Sequence, residues 1–272
     1  MAFTTMPRFG LGTWRMGERK RQRAAEVGAL RFGLELGVKL IDTAEMYGDG
    51  EAESIVGDAI AGSARDSVYI VSKCYPQNAG SKSMPAACER SLRRLRIERI
   101  DCYLLHWRGH TPLEETVATF ERLVREGKIG RWGVSNFDAA DMGELLAIPS
   151  GTRCAANQVL YHLEDRAVEW RLLELCRTNG IPLMAYSPLG QGGLADSKKL
   201  SAIAAPLHIT PAQLALAFVL SRDGVVAIPK TASRDHLREN VDAAALTLDA
   251  ATLAKLDQAF PPPAKAKRIS VL

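Results

Sequence analysis

The chain has 272 residues, 47% of them hydrophobic and 24% charged, with a formal net charge of +4. That is enough apolar material for a sizeable core, and with ordinary Gly and Pro usage it excludes long disorder and collagen-like repeats. No apolar run reaches the roughly 18 residues of a membrane span, and the mild charge gives little support to a nucleic-acid partner.

Short apolar runs alternate with helical stripes along the chain. The first run, Phe9–Thr13, precedes a stripe at Val27, Leu30 and Leu34; Val38–Ile41 and Val68–Val71 are the second and third runs. A stripe at Cys88, Leu92 and Leu95 leads to Cys102–Leu105, and one at Val117, Phe120 and Val124 leads to Ile129–Val134. A short fifth helix is expected after Asp138, then the run Ala155–Val159, a stripe at Leu172, Leu175 and Cys176, and the run Leu183–Tyr186. A Gly-rich insert at Gly190–Gly193 lengthens the next gap. Thr210–Pro211 reads as an N-cap followed by Pro at the first helical position, opening a stripe at Leu214, Ala217 and Phe218. Val225–Ile228 is the eighth run, and Leu237, Val241 and Ala244 form the eighth stripe.

Most runs lack polar alternation, as strands covered on both faces do. They recur mostly every roughly 25 to 33 residues, one βα unit each. Eight strands alternating with eight helices predict an α/β chain folded as one (β/α)8 TIM barrel over residues 1–272, with short loops and a C-terminal tail. A doubly wound open sheet is the structural alternative, but the first turn lacks GxGxxG. The tail, Pro261–Leu272, is expected to pack loosely over the exterior or rim. The basic run Arg15, Arg19, Lys20, Arg21 and Arg23 reads as a solvated loop and helix start.

Met1–Arg8 lacks the basic start, apolar run and cleavage site of a signal peptide. The five cysteines, Cys74, Cys88, Cys102, Cys154 and Cys176, form no CxxC and lie in or beside apolar segments. Both observations point to a cytoplasmic, reducing setting. His110, His162 and His208 show no metal-ligand spacing, so no metal is expected.

A barrel's active site forms where its strands end. Strand 2 ends in Asp42-Thr43-Ala44-Glu45-Met46-Tyr47-Gly48, strand 3 in Ser72-Lys73, strand 4 in His106-Trp107 and strand 5 in Ser135-Asn136; strand 6 carries Asn157-Gln158, strand 7 ends in Tyr186-Ser187-Pro188 and strand 8 in Ile228-Pro229-Lys230-Thr231. Singly, each of these residues is more often a structural salt bridge, rim packing or a satisfied donor; their value lies in the combination.

Asp42, Tyr47, Lys73 and His106 stand in the order and strand positions of the aldo-keto reductase tetrad. The flanking Gly10-Leu11-Gly12-Thr13-Trp14, Leu105-His106-Trp107, Gly133-Val134-Ser135-Asn136-Phe137 and Ile228-Pro229-Lys230 resemble the same family, and the resemblance runs from about Arg8 to Pro263, nearly the whole chain. The resemblance implies a (β/α)8 barrel that reduces carbonyls with a nicotinamide cofactor. Glu45 and Met46 look like a compact, bacterial-type branch acting on aldehydes such as methylglyoxal.

The residue types suit that chemistry. Reduction needs a hydride at carbon and a proton at oxygen, and Tyr47 is the expected proton donor. An unperturbed Tyr, with a pKa of ~10, is too weak an acid. A Lys ammonium ~4 Å away favours the phenolate by roughly 4 kcal/mol at an effective dielectric near 20, or ~3 pKa units. Lys73 is therefore expected to lower Tyr47, Asp42 to keep Lys73 charged, and His106 to orient and polarise the carbonyl oxygen.

For the cofactor, the resemblance implies that Tyr186 stacks on the nicotinamide, while Ser135, Asn136 and Gln158 bond its carboxamide. Ser187, Leu189 and Gly190 open a loop over the pyrophosphate. Lys230, Thr231 and Ser233 clasp an adenosine 2′-phosphate, and Glu239 and Asn240 contact the adenine. Thr13, Trp14, Asp42 and Ile228 complete the assigned contacts. This favours NADPH. His236 departs from the pattern, because many relatives carry Arg there, so NADH is kept as a weaker alternative. Trp14, Tyr47, His106 and Trp107 are expected to wall an open substrate pocket, since both the segment after Trp107 and the C-terminal loop look trimmed. The expected partner is a small carbonyl compound, with no nucleic acid and no membrane, and the resemblance suggests a monomer. Cys74 is expected to face away from Lys73 as a packing thiol. The alternatives are an NADPH-binding sensor or scaffolding subunit with little turnover, and a metal-dependent barrel hydrolase, for which the metal cluster is missing.

Overall fold

The computed structural model describes residues 6–62 and 65–272. The start of the segment read for a signal sequence, residues 1–5, lies outside them. In chain order the elements are β1 (Leu11–Gly12), α1 (Arg23–Glu35), β2 (Leu40–Asp42), α2 (Glu51–Ile60), β3 (Tyr69–Cys74), α3 (Ser83–Leu95), β4 (Ile100–Leu105), α4 (Leu113–Arg125), β5 (Ile129–Ser135), α5 (Ala139–Ala147), β6 (Asn157–Leu160), α6 (Leu172–Thr178), β7 (Leu183–Tyr186), α7 (Lys198–Ala204), α8 (Pro211–Leu220), β8 (Val225–Ala227), α9 (Arg234–Ala244) and α10 (Ala250–Ala259). The strands form one parallel sheet in sequential order from β1 to β8. The ring closes where Phe9 pairs in parallel with Ala227, Gly10 N donates to Ala227 O at 3.0 Å, and Gly12 N donates to Pro229 O at 3.0 Å. The fold is the (β/α)8 barrel.

Strand alternation divides the core in two. Leu40, Tyr69, Val71, Cys102, Leu104, Ala156, Met184, Val226 and Ile228 pack inside the barrel. Ile41, Ile70, Cys74, Tyr103, Leu105, Val134 and Val159 face the helices. Burying a Leu side chain such as Leu40 or Leu104 in the barrel contributes roughly 1.5–3 kcal/mol. Gly10 is small because a Cβ there would overlap Leu40 Cδ2. Cys74 falls in the outer layer, away from Lys73, as the alternation predicts.

Two helix starts follow the sequence closely. Thr210 caps α8 with a capping box to Gln213 and Pro211 at N1, and Asp138 caps α5 with a capping box to Asp141. Other features depart from the sequence reading. There are ten α-helices among the described residues rather than eight. The Gly-rich insert leads into α7, and α10, capped by the Asp249 side chain on Thr252 N, precedes the tail. β3 and β4 run three and two residues beyond the apolar cores read for them, β3 at its C-terminal end and β4 at its N-terminal end, so Lys73 lies within a strand rather than after it.

Most of the tail is exposed, as expected of a segment packed loosely over the rim, but its end makes specific contacts. Ser270 Oγ donates to Asp165 Oδ2 at 2.5 Å, and Leu272 N donates to Tyr186 Oη at 3.4 Å. Its last residues therefore reach the mouth of the barrel. The mouth is also where several non-glycine residues adopt positive φ, among them Arg15 (63°), Asn136 (60°), Ser187 (48°) and Gln191 (55°). Such backbone is costly and concentrates where side chains must be aimed.

Candidate active site

A cavity of about 650 Å³ opens at the ends of the strands. Asp42 comes to it from the end of β2, and Tyr47 from the short turn Tyr47–Gly50 that leads into α2. Lys73 projects inward from β3, and His106 follows β4. Lys73 is fully buried and lies behind the wall that Asp42, Tyr47 and His106 form. Its Nζ donates to Asp42 Oδ2 at 2.9 Å and to Thr43 O at 2.9 Å, and it lies 3.0 Å from Tyr47 Oη. Gln158 Nε2 donates to the other carboxylate oxygen of Asp42 at 2.7 Å. The His106 ring stands edge-on to Tyr47, with centroids 5.8 Å apart.

The electrostatics follow from burial. Burial works against the Lys73 charge, but the Asp42 carboxylate and the Tyr47 oxygen together outweigh it and raise its pKa, so the ammonium persists. Burial also raises Asp42, against the pull of Lys73 and the Gln158 amide. Tyr47 corrects the sequence expectation. Desolvation raises it more than Lys73 lowers it, and Asp42 adds to the rise. Lys73 thus moderates a phenol that burial would otherwise make a still weaker acid. His106 is lowered to about 3, first by burial and then by the charge of Lys73, which makes it a neutral imidazole. Its Nδ1 is buried without a hydrogen-bond partner. A buried N–H without a partner is costlier than a buried lone pair, so the proton belongs on Nε2.

Trp14, Tyr47, His106 and Trp107 all line the cavity, the two tryptophans on opposite sides of the tyrosine in sequence. Trp107 packs on His106 at 4.9 Å between ring centroids, and Tyr75 stands edge-on to Trp107 at 5.9 Å. Along the rest of the wall stand Ser135, Asn136, Gln158, Tyr186, Ser187, Leu189, Ile228, Lys230, Thr231, His236, Glu239 and Asn240. Tyr186 Oη donates to Asn136 Oδ1 at 3.0 Å, and Asn136 Nδ2 donates to His106 O at 3.0 Å. The flat ring is thereby fixed beside an amide and a hydroxyl.

Three assigned contacts are not on the wall. Thr13 is buried, and its hydroxyl donates to Asp42 O at 2.9 Å, so it braces the strand instead. Ser233 caps α9, accepting from His236 N at 3.4 Å. Gly190, at φ 56°, backs onto His162, and its neighbours Gln191 and Gly192 face the cavity in its place. Arg234 and Arg238 do not replace the missing Arg at 236, because both guanidinium groups lie over Phe32, at 4.7 and 5.3 Å.

The sequence reading missed Val271 and Leu272, which line the cavity from the tail. Nothing in their local pattern signals a position set by a chain crossing. It also passed over Arg15 as a solvated cation. Arg15 does line the cavity, with its guanidinium 4.4 Å from the Trp14 ring centroid.

The donor set suits a nicotinamide dinucleotide. One end of the cavity offers an aromatic face, amides and hydroxyls beside the tetrad. The other, after β8, offers Lys230, Thr231 and His236 beside the polar pair Glu239 and Asn240. A cation and a hydroxyl at that position suit a phosphate.

The model of the Aldo/keto reductase family matches residues 8–260. The methylglyoxal reductase YeaE of Escherichia coli is 51% identical over 264 residues, 95% of this chain and 93% of that protein. A glyoxal reductase of Bacillus subtilis is 35% identical over 93% of this chain and 88% of its own length. Among solved structures, an aldo/keto reductase from Klebsiella pneumoniae in complex with NADP and acetate superposes with a TM-score of 0.96 at 50% identity, covering 98% of this chain and 96% of that one.

Proposed function

The chain belongs to the aldo/keto reductase family, and on that premise we propose that it reduces small aldehydes and dicarbonyls, methylglyoxal among them, to alcohols with NADPH. The observation that carries the reading is the Tyr47 hydroxyl. It faces the cavity and is backed at 3.0 Å by a buried ammonium that is itself held by a carboxylate.

A bound reduced nicotinamide would supply the hydride. Tyr186 would support its ring, Ser135 and Asn136 would present hydroxyl and amide groups to its carboxamide, and Gln158 would offer Oε1 because its Nε2 is committed to Asp42. Lys230 and Thr231 would hold the 2′-phosphate, and Glu239 and Asn240 would face the adenine. Leu189, Gln191 and Gly192 would cover the pyrophosphate. His106, neutral, donates from Nε2 to the substrate oxygen and so fixes which carbonyl face is presented. Tyr47 gives its proton to that oxygen, and Lys73 stabilises the phenolate left behind. Asp42 keeps Lys73 charged and aimed. Trp14 and Trp107 exclude water around the reacting carbon.

The YeaE and glyoxal reductase relatives support the dicarbonyl substrate class by their names. We take residues 1–272 as one catalytic unit acting as a monomer, and place it in the cytoplasm. The five unpaired, buried cysteines suit a reducing compartment, and among the described residues no single helix is long and apolar enough to cross a membrane.

The test is absorbance-followed consumption of NADPH, and separately of NADH, with methylglyoxal, glyceraldehyde and a nitrobenzaldehyde. Turnover with NADPH well above NADH is expected. Cofactor binding without turnover on any of the three would replace the reductase reading with that of a sensor. Size-exclusion chromatography checks the monomer.

A further inference from the structure

Behind the Tyr47–Lys73 pair lies a second charged cluster with no part in the chemistry described above. Glu53, in α2, is fully buried. Its Oε1 accepts from Ser72 Oγ at 2.5 Å, and its Oε2 accepts from Arg94 Nε at 2.7 Å and lies 2.6 Å from Arg94 Nη2. Ser72 is the residue before Lys73 on β3. Alternation sends its side chain out toward the helices while Lys73 points into the barrel. Arg94, in α3, sits directly beneath Gly50, where a Cβ would come within 2.5 to 2.8 Å of Nε, Cδ and Cζ. Gly50, at φ 91°, closes the turn that Tyr47 opens and is the N-cap of α2.

One buried carboxylate therefore reaches both halves of the pair. Through Ser72 it fixes the strand position that aims Lys73. Through Arg94 it supports the floor of the turn that carries Tyr47. For stability alone, a buried Glu–Arg pair is often no better than apolar residues of the same volume, so its placement calls for a further reason. We propose that Glu53, acting through Ser72 and Arg94, is a positioning residue that sets the separation between the Tyr47 hydroxyl and the Lys73 ammonium. This rests on the reading of Tyr47 as proton donor.

The decisive variants are Glu53→Gln, which keeps the volume and an acceptor for Ser72 but removes the charge from Arg94, and Ser72→Ala, which removes one hydroxyl. Glu121→Gln is the control. Glu121 is another buried carboxylate with an Arg partner, Arg153 at 2.7 Å, on the far end of the barrel beside the strand starts. In Glu53→Gln, kcat for methylglyoxal is expected to fall about 10- to 100-fold, with the NADPH Kd and the methylglyoxal KM within about twofold of wild type. Ser72→Ala is expected to lower kcat in the same direction by a smaller factor. A crystal structure of Glu53→Gln should show Tyr47 Oη and Lys73 Nζ beyond hydrogen-bonding distance, a readout independent of turnover. Glu121→Gln should lower Tm and leave kcat unchanged.

Wild-type kcat in folded Glu53→Gln and Ser72→Ala overturns the proposal, as does a loss of kcat in Glu121→Gln as large as theirs. Should Glu53→Gln fail to fold, Ser72→Ala decides. An inactive wild-type protein removes the reading of Tyr47 itself, and the positioning role with it, whereas an active wild type with unaffected variants removes the positioning role alone.

Discussion

Tyr47 Oη lies 3.0 Å from Lys73 Nζ, and that nitrogen is also 4.6 Å from the centre of the Tyr47 ring, so the ammonium sits close behind the phenol rather than in solvent. In the proposed mechanism this pair gives up a proton and holds the charge that remains. Tyr47→Phe removes the proton and keeps the ring. Turnover is expected to fall about 10²- to 10⁴-fold, while NADPH affinity, measured by fluorescence titration, stays near wild type. Retained turnover would take the acid role away from Tyr47.

His106 gives a pH prediction. Its folded pKa is depressed to about 3, against ~6.5 for an unfolded histidine. Below about 6.5 the unfolded chain takes up a proton that the folded protein refuses, so this residue's contribution to stability is lost as pH falls from about 6.5 toward 3 and is constant above that window. The slope is at most about 1.4 kcal/mol per pH unit. Urea unfolding of wild type and His106→Asn at pH 5 and pH 7.5 isolates the effect: the difference between the two proteins should shift in favour of the variant at pH 5. The kcat profile should also lack a limb near pH 6.5. A pH-independent difference would show that the imidazole titrates normally.

How much of this was legible in the chain depended on how local each signal was. The strands were readable because two-sided burial leaves uninterrupted apolar runs, and the candidate tetrad because Asp42, Lys73 and His106 stand at or next to strand ends and Tyr47 follows Asp42 in the same loop. α2 carried no readable stripe: its buried face is built from Ala52, Ile55, Val56 and Ala59 and is interrupted by buried Glu53. Thr13 and Ser233 were assigned by their place in a motif, whereas the side chain of each is spent on the backbone, at Asp42 O and His236 N. The pull of Lys73 on Tyr47 was read with the correct sign, but the cost of burial could not be read before the pocket existed. Val271 and Leu272 reach the site on a tail held at Asp165 and Tyr186, and the first of these contacts is more than a hundred residues back along the chain.

On the proposed reading the cofactor choice turns on Lys230 and His236, both exposed at the cavity edge. Lys230→Met should weaken NADPH about 10-fold and leave NADH nearly unchanged, since only the former carries the extra phosphate. His236→Arg should tighten NADPH by a similar factor, because a guanidinium is always charged and offers a fork of donors. Paired Kd measurements for both cofactors check this. Equal effects on NADH would place the phosphate elsewhere.

The tail residues give a specificity prediction. A Val271→Ala and Leu272→Ala double variant removes apolar surface at the mouth, remote from the carbonyl of a three-carbon substrate. The kcat/KM for a nitrobenzaldehyde should drop roughly fivefold, in keeping with about 1 kcal/mol of lost contact, while that for methylglyoxal stays level. A uniform drop would mean that the tail acts on the tetrad rather than on substrate size.

The unpaired, buried cysteines acquire another meaning beside a reactive dicarbonyl of the proposed class. All five are buried. Burial holds Cys176 up at about 11 and Cys88 and Cys154 at about 12, with Cys74 and Cys102 higher still, so none supplies a thiolate near neutral pH. The one amine beside the proposed acid, Lys73, is kept protonated and out of solvent. A dicarbonyl held in the mouth as proposed would thus meet no thiolate and no free amine next to the proton donor, and the side chains it could modify, Arg15 and Lys230, stand at the exposed rim.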